Sequence, residues 1–484
     1  MNLQDTSLFR QQNLVAGEWI NADNRATIEV DNPSTLSVVG TVPNCGSDET
    51  DRAIAAAEAC FATFRKTTAA HRGALLEKWF DLIMESQDDL ATLMTLEQGK
   101  PFAEAKGEIA YAASFVKWFA EEGKRVYGET IPSPVQDRRI IVQKQPVGVC
   151  AIITPWNFPA AMITRKIAPA LAAGCPVVIK PSEFTPFTAL ALGVLAERAG
   201  FPSGAVNIVT GDPAGVGGAL TGSTAVRKLS FTGSTRVGKL LMEQCAGTMK
   251  RLSLELGGNA PFIIFDDADL DLAVEGVMAS KFRNGGQTCV CANRIFVQAG
   301  VYDAFAEKLA AVVGNMKLGD GFEDGVEIGP MINDAAIAKI KSHLDDATAK
   351  GGTVIVGGTQ EDTSKRFISP AVVTGVTTDM IVADEETFGP VAPLFKFDTE
   401  EEALAAANAT PYGLAAYFYT NDLTRTFRVS EELETGMIGI NVGGFATEVA
   451  PFGGIKESGL GREGAHQGID EYLEVKTLHI GGIA

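Results

Sequence analysis

Three side chains in this sequence carry the functional groups that acyl chemistry requires. Cys289, in NGGQTCVC, offers a thiol; Glu255, in SLELGGNAP, a carboxylate; Asn157, in ITPWNFP, an amide. Together they supply a nucleophile, a general base and an oxyanion donor. Singly, each has a plainer reading: a packed thiol, a solvated strand-end carboxylate, an amide tying a turn. That plainer reading is retained for Cys45, Cys60, Cys150, Cys175 and Cys245. Cys289 differs because Gly285 and Gly286 remove side chains beside it, and polar Gln287 and Thr288 argue against a packed interior. The seven cysteines show no paired metal-ligand spacing, and His71, His343, His466 and His479 lie far apart. No metal site is expected.

The elements that must position these groups follow from pattern. LVAGEWI and ATIEV read as strands broken by NADN, and Ser47 reads as the cap of a long helical stretch. Helices continue to about residue 125, and RRIIVQKQPVGV alternates like an exposed strand. From residue 147, short apolar strands alternate with helices: VGVCAIITPW, CPVVIKPSE, VNIVTG, RKLSFTGST and RLSLELGG. Thr185 and Pro186 suit the cap and first position of one intervening helix. Repeated crossovers imply a parallel sheet covered by helices on both faces. A second α/β series begins near residue 259. The tail EYLEVKTLHIGGI reads as a strand that pairs with the exposed one, in the same or a neighbouring subunit. Such an apolar strand is normally covered, so a homodimer or homotetramer is expected.

Composition narrows the class. The 484 residues are 46% hydrophobic and 21% charged, enough apolar content for large cores and too much for a disordered chain. A net charge of −19 repels phosphate backbones, so nucleic acid is not an expected partner. No apolar run spans a bilayer and no secretory signal is visible, so no membrane partner is expected. The scattered, odd cysteine set fits a reducing cytoplasm.

Seven segments, TPWNFP, KPSE, FTGST, ELGGNAP, GGQTC, EETFGPV and PFGGIKESGLGREG, resemble the NAD(P)-dependent aldehyde dehydrogenase superfamily in order and spacing over essentially the whole chain. The resemblance implies an α/β fold with a Rossmann-like NAD-binding domain (1–122 and 146–257), an α/β catalytic domain (258–470) and a β-strand oligomerisation arm (123–145 and 471–484). It implies that Cys289 attacks an aldehyde, that Asn157 and the Cys289 amide hold the oxyanion, and that Glu255 activates water against the thioester. Lys166 and Glu463 match positions of structural or proton-relay roles. A catalytically silent, crystallin-like or scaffolding member is the alternative of another class, disfavoured because nucleophile and base are both present.

The family's cofactor residues carry over to Ile153, Thr154, Pro155, Trp156 and Leu256, with Phe231, Gly233 and Ser234 at a helix start suited to pyrophosphate. Gly211 and Gly215 are expected to pass the backbone close to adenine, and Lys180, Ser182 and Glu183 to meet the adenosine ribose. Glu386 and Phe388 are expected at the nicotinamide. An acidic Glu183 accepts ribose hydroxyls and repels a 2′-phosphate, so NAD is expected, with NADP admitted if Glu183 swings aside.

Arg165 shares a helix face with Phe158, and Arg283 lies six residues before Cys289. Two guanidinium groups suit a carboxylate at the far end of the aldehyde. MITRK and KFRNGGQTCVCANR resemble succinate-semialdehyde dehydrogenases, which implies succinate semialdehyde as substrate in 4-aminobutyrate or related catabolism. GFATEVAPFGG departs from that subfamily's usual serine, leaving Thr447 to offer a hydroxyl beside Phe452. Glutarate semialdehyde and general aliphatic aldehydes remain alternatives. Cys291 reads either as a packed thiol or, as the resemblance allows, as the resolving partner of a reversible Cys289–Cys291 disulfide.

Overall fold

The computed structural model describes residues 2–483. Met1 and Ala484, which bound two of the expected ranges, lie outside the described residues. An eight-stranded sheet runs in the order Gly459–Leu460, Arg251–Glu255, Val226–Thr232, Val149–Ile153, Val177–Lys180, Val206–Ile208, Asn13–Val15, Glu18–Ile20. The five strands from Arg251–Glu255 to Val206–Ile208 are mutually parallel. Its edges are antiparallel, a departure from the all-parallel expectation. LVAGEWI is two strands rather than one, because Ala16 (φ 57°) and Gly17 (φ 79°) turn the chain into a hairpin.

Strand order reverses between Val149–Ile153 and Val226–Thr232, and residues at the carboxyl ends of both strands, Pro155 and Trp156 with Thr232 and Gly233, line one cavity. Ligands of open α/β sheets bind at such a reversal. The helix Ala161–Ala173, which leaves the first of these strands, is buried at every residue. It is clamped by the helix Phe102–Glu122, whose Ile109, Ala112, Phe115, Val116 and Phe119 are fully buried. Burial on this scale, at about 25 cal/mol per Å² of apolar surface, makes the helix a fixed platform.

The helix Ser47–Phe64 starts one residue before its expected body. Gly46 is the cap, and Glu49 Oε2 accepts from its amide at 3.0 Å, so Ser47 is the first helical residue rather than the cap. Thr185 does precede the helix Pro186–Ala199, but its hydroxyl makes no capping bond.

A seven-stranded sheet is built around Ala260–Ile264 and Ala292–Gln298 and is parallel except for its outermost pair. A three-stranded antiparallel arm forms a sheet separate from both large ones. Leu473–Gly481 pairs with Arg138–Pro146 through nine registered positions, so the tail closes on its own chain. The segment Gly459–Leu460 also reaches back, pairing with Leu254 and Glu255 in the first sheet. No helix among the described residues is long and apolar enough to cross a membrane.

Candidate active site

The turn after Ile153 is fixed from beneath by charges no motif announces. Lys100 and Glu108, both 1% exposed, form an ion pair at 2.5 Å. Lys100 Nζ donates to the Asn157 carbonyl at 2.8 Å, while Glu108 Oε1 accepts from the amides of Ala160 (2.9 Å) and Ala161 (3.2 Å). The carboxylate thus satisfies the start of the Ala161–Ala173 helix, and the ammonium pins the residue that leads into it. Asn284 Nδ2 donates to the same carbonyl at 3.0 Å and takes its own orientation from Gln98, whose Nε2 donates to Asn284 Oδ1 at 3.0 Å. The Asn157 side chain is held too, Nδ2 donating to the Gln287 carbonyl at 2.9 Å. One Nδ2 hydrogen remains for a ligand.

Asn284, Gly285 and Gly286 have φ of 53°, 62° and 74°, coiling the chain tightly ahead of Cys289. Gly286 has a steric reason besides the expected ligand access. A Cβ there would meet the Gly389 carbonyl oxygen at 2.3 Å, so the fold itself excludes a side chain.

Cys289 opens into a cavity of about 240 Å³, lined also by Trp156, Asn157, Phe158, Met162, Gly233, Ser234, Leu256, Glu386 and Phe388. Nucleophile candidate, oxyanion candidate and expected dinucleotide residues therefore share one wall. Trp156 and Phe388 meet edge to face at 5.6 Å. Burial pushes the Cys289 thiol up to about 12, opposed chiefly by Arg165. Burial likewise lifts the Glu386 carboxyl to about 7.

Glu255 ends its strand as expected but does not line this cavity. Its carboxyl lies in a buried charge cluster, where burial and then the nearby Glu463 carboxylate raise its pKa well above the ordinary value. Glu255 Oε2 has no hydrogen-bond partner. Glu463 is shared by Lys166, which also donates to Thr232 Oγ1 at 2.6 Å, and by Arg165, whose Nε stands 2.5 Å from Oε2.

Arg165 is not at an open entrance. It is 1% exposed, with its guanidinium 3.9 Å above the Phe452 ring and 5.7 Å from Phe115. Its Nη2 is buried without an acceptor. Arg283 is exposed, 4.9 Å over Phe158. Thr447 spends its hydroxyl on Glu448 at 3.0 Å, which removes it as a free donor. Cys291 is fully buried, donates to the Lys281 carbonyl at 3.3 Å and is unpaired with Cys289, so the packed-thiol geometry is the one adopted.

The crevice fits a dinucleotide. Ser234 is exposed at the cap of the helix Thr235–Ala246, whose first turn contains no acid, leaving amides available to a pyrophosphate. Thr154 Oγ1 is buried and unpartnered at the same edge. Phe231 packs under Gly233, where a Cβ would strike its ring at 2.4 Å. Lys180 Nζ stands 3.6 Å from Glu183 Oε2, so an acid and a cation occupy the ribose position together. Ser182 Oγ accepts from the Phe184 amide at 3.3 Å. At Gly211 a Cβ would meet the Cys45 carbonyl oxygen at 2.1 Å, so the junction of Cys45 with Gly211 by itself demands glycine. The Gly215 amide is already bonded to Asp212 Oδ2 at 2.6 Å.

A family model described as the aldehyde dehydrogenase family matches residues 19–478. The chain is 60% identical to the NADP(+) succinate-semialdehyde dehydrogenase of Escherichia coli strain K12, over 99% of this chain and 100% of that one. It is also 60% identical to a glutarate-semialdehyde dehydrogenase of Pseudomonas putida, over the same shares of each chain. Among solved structures, a succinate-semialdehyde dehydrogenase of Burkholderia pseudomallei superimposes with a TM-score of 0.99 at 59% identity, covering 99% of this chain and 100% of that one.

Proposed function

The chain belongs to the aldehyde dehydrogenase family, and from that premise we propose that it oxidises succinate semialdehyde to succinate with NAD or NADP. The observation that carries the substrate is the Arg165 guanidinium: fully buried, held by Glu463, braced on Phe452, and left with Nη2 unsatisfied. A buried charged donor without an acceptor is costly, and a substrate carboxylate supplies the missing acceptor. Arg283 on Phe158 offers the second guanidinium from the exposed side.

In this reading Cys289 Sγ, after losing its proton to solvent, adds as the thiolate to the aldehyde carbon, and the resulting oxyanion takes hydrogen bonds from Asn157 Nδ2 and the Cys289 amide. The network under Asn157 holds that donor still, so no reorganisation is needed as charge develops. A nicotinamide held beside Glu386 and Phe388 would supply the hydride acceptor, and loss of that hydride would leave the acyl group on Cys289 as a thioester. Glu255 then takes a proton from the attacking water, which requires its carboxyl to swing from the Glu463 cluster toward Cys289. Lys166 and Arg165 favour the ionised form of Glu463, while burial and then that carboxylate raise the Glu255 pKa; leaving the cluster removes both effects and restores the carboxylate that accepts the proton.

Initial rates with succinate semialdehyde and neutral butyraldehyde test the proposal. A large kcat/KM advantage for the carboxylated substrate is expected; parity would leave only a general aldehyde dehydrogenase. Glutarate semialdehyde stands as a second reading, because Thr447 is occupied by Glu448 and a 60% identical relative carries that name. Arg283→Ala is expected to raise KM for succinate semialdehyde at least tenfold, about 1.4 kcal/mol, while sparing butyraldehyde. Equal losses on both would remove Arg283 from carboxylate binding.

The Lys180–Glu183 pair sets the cofactor balance in the same reading. Glu183→Gln is expected to shift the ratio of kcat/KM toward NADP by about tenfold, since it frees the Lys180 ammonium for a 2′-phosphate and removes a repelling carboxylate. An unchanged ratio would rule out Glu183 as the selector.

A further inference from the structure

We propose that the cavity at the root of the three-stranded arm binds a small polyanion carrying two or more phosphate groups, at a site separate from the catalytic cavity. This cavity is the larger, about 600 Å³, and its wall includes Arg65, Lys66, Arg72, Lys144 and Lys476 with no acidic residue among the lining. The chain as a whole is strongly acidic at −19, so five cations around one concavity run against its composition. Lys144 is offset by Asp470 at 2.7 Å. Among the described residues the other four pair with no carboxylate. Like charges gathered in a recess raise the energy of the folded state unless an anion sits among them.

Two further features favour an anion. Arg72 is fixed rather than mobile: its Nε donates to the Ala172 carbonyl at 2.8 Å and its Nη1 to Thr67 Oγ1 at 3.3 Å. That bond also satisfies the carbonyl end of the Ala161–Ala173 helix, which would otherwise present partial negative charge to the cavity. Thr67 and Ala69, also in the wall, bring the start of the helix Ala69–Glu85, whose first turn contains no acid. Planar guanidinium groups and helix amides match phosphate oxygens, and lysines at the rim add point charge. A long polyanion is disfavoured by the field of the whole molecule, whereas a compact one fits within the recess.

The occupant would also brace the molecule. Gln143, Lys144, Gln145, Pro146, Leu473 and Lys476 belong to the arm, whereas Arg65 to Arg72 belong to the helical body. A phosphate group bridging them ties the arm to the body.

Calorimetric titration of inorganic triphosphate into the full-length protein, with NAD saturating the cofactor crevice and at low ionic strength, tests the site. One triphosphate per chain is expected, with affinity falling as salt rises. The double variant Lys66→Glu/Lys476→Glu changes two exposed side chains, and is expected to weaken binding at least tenfold. Hydrogen exchange over residues 138–146 is expected to slow on binding in the unsubstituted protein and not in the variant. Absence of binding, or equal affinity in the variant, would overturn the proposal. Tighter binding of citrate than of triphosphate would overturn the phosphate assignment. A change in oligomeric mass of the variant, with no triphosphate bound to the unsubstituted protein, would also overturn it, showing that a second copy covers the recess.

Discussion

Glu255→Gln is expected to preserve a single burst of reduced cofactor per active site while steady-state turnover falls by about 10²–10⁴-fold. The step before the thioester uses Cys289 and Asn157, whereas the step after it needs a base, whose removal costs about that factor. Glutamine keeps the shape of Glu255 and cannot take a proton. Loss of burst and turnover together would mean that Glu255 acts earlier than water attack. The same residue sets the pH response. Burial and the neighbouring Glu463 carboxylate raise its pKa above the ordinary value, so the ionised fraction of the base grows as pH increases. The Cys289 thiol, pushed up to about 12 by burial, titrates in the same direction. Steady-state rate is therefore expected to climb on the alkaline side of neutrality, by about tenfold per pH unit where one ionisation limits it. A rate flat between neutral and alkaline pH in the unsubstituted enzyme would contradict both assignments.

Asn157→Ala is expected to lower kcat by about 10²–10³-fold, or about 2.7–4 kcal/mol, with little change in KM. Such a profile marks a contact made in the transition state and not in the ground state. The backbone anchors of residue 157 run through its carbonyl, so the substitution leaves the bonds from Lys100 and Asn284 in place. Circular dichroism and thermal melting of the variant are expected to remain close to those of the unsubstituted protein. A near-normal kcat would place the oxyanion donor elsewhere.

What was legible in the sequence was mostly local. Strand ends, turn residues and motif order located Asn157, Glu255 and Cys289, because each sits where a strand or coil hands over to glycine or a helix. The hairpin inside LVAGEWI was missed because Ala16 adopts a left-handed turn that favours glycine or asparagine. The Gly46 cap was displaced by one residue because Ser47 is the better capping type, whereas Glu49 completes a box with glycine. Lys100 and Glu108 carried no signal, since their importance comes from meeting a turn some fifty residues further along. Helical periodicity places them on a buried face without saying what that face touches. Glycines are ambiguous for a related reason. Gly211 and Gly286 read as openings for ligands, yet the space each leaves is taken by Cys45 and Gly389 of the protein itself. The arginines were found by type and spacing, but only their packing distinguishes Arg165, braced and half-satisfied, from Arg283 at the surface.

The late return of the chain has a bearing on how the protein is made. Residues 459–463 and 473–481 supply the strand beside Glu255, the Glu463 counter-charge and the outer arm strand, all to partners synthesised much earlier. At about 5–20 residues per second, a ribosome emits the thiol, the amide and the dinucleotide sheet many seconds before these pieces follow. Until then Lys166 and Arg165 lack their carboxylate, and the arm has two of its three strands. Charge balance in the site and completion of the arm thus arrive in the same stretch of translation. A nascent or prematurely stopped polypeptide therefore lacks both the counter-charge of Arg165 and Lys166 and the third strand of its arm.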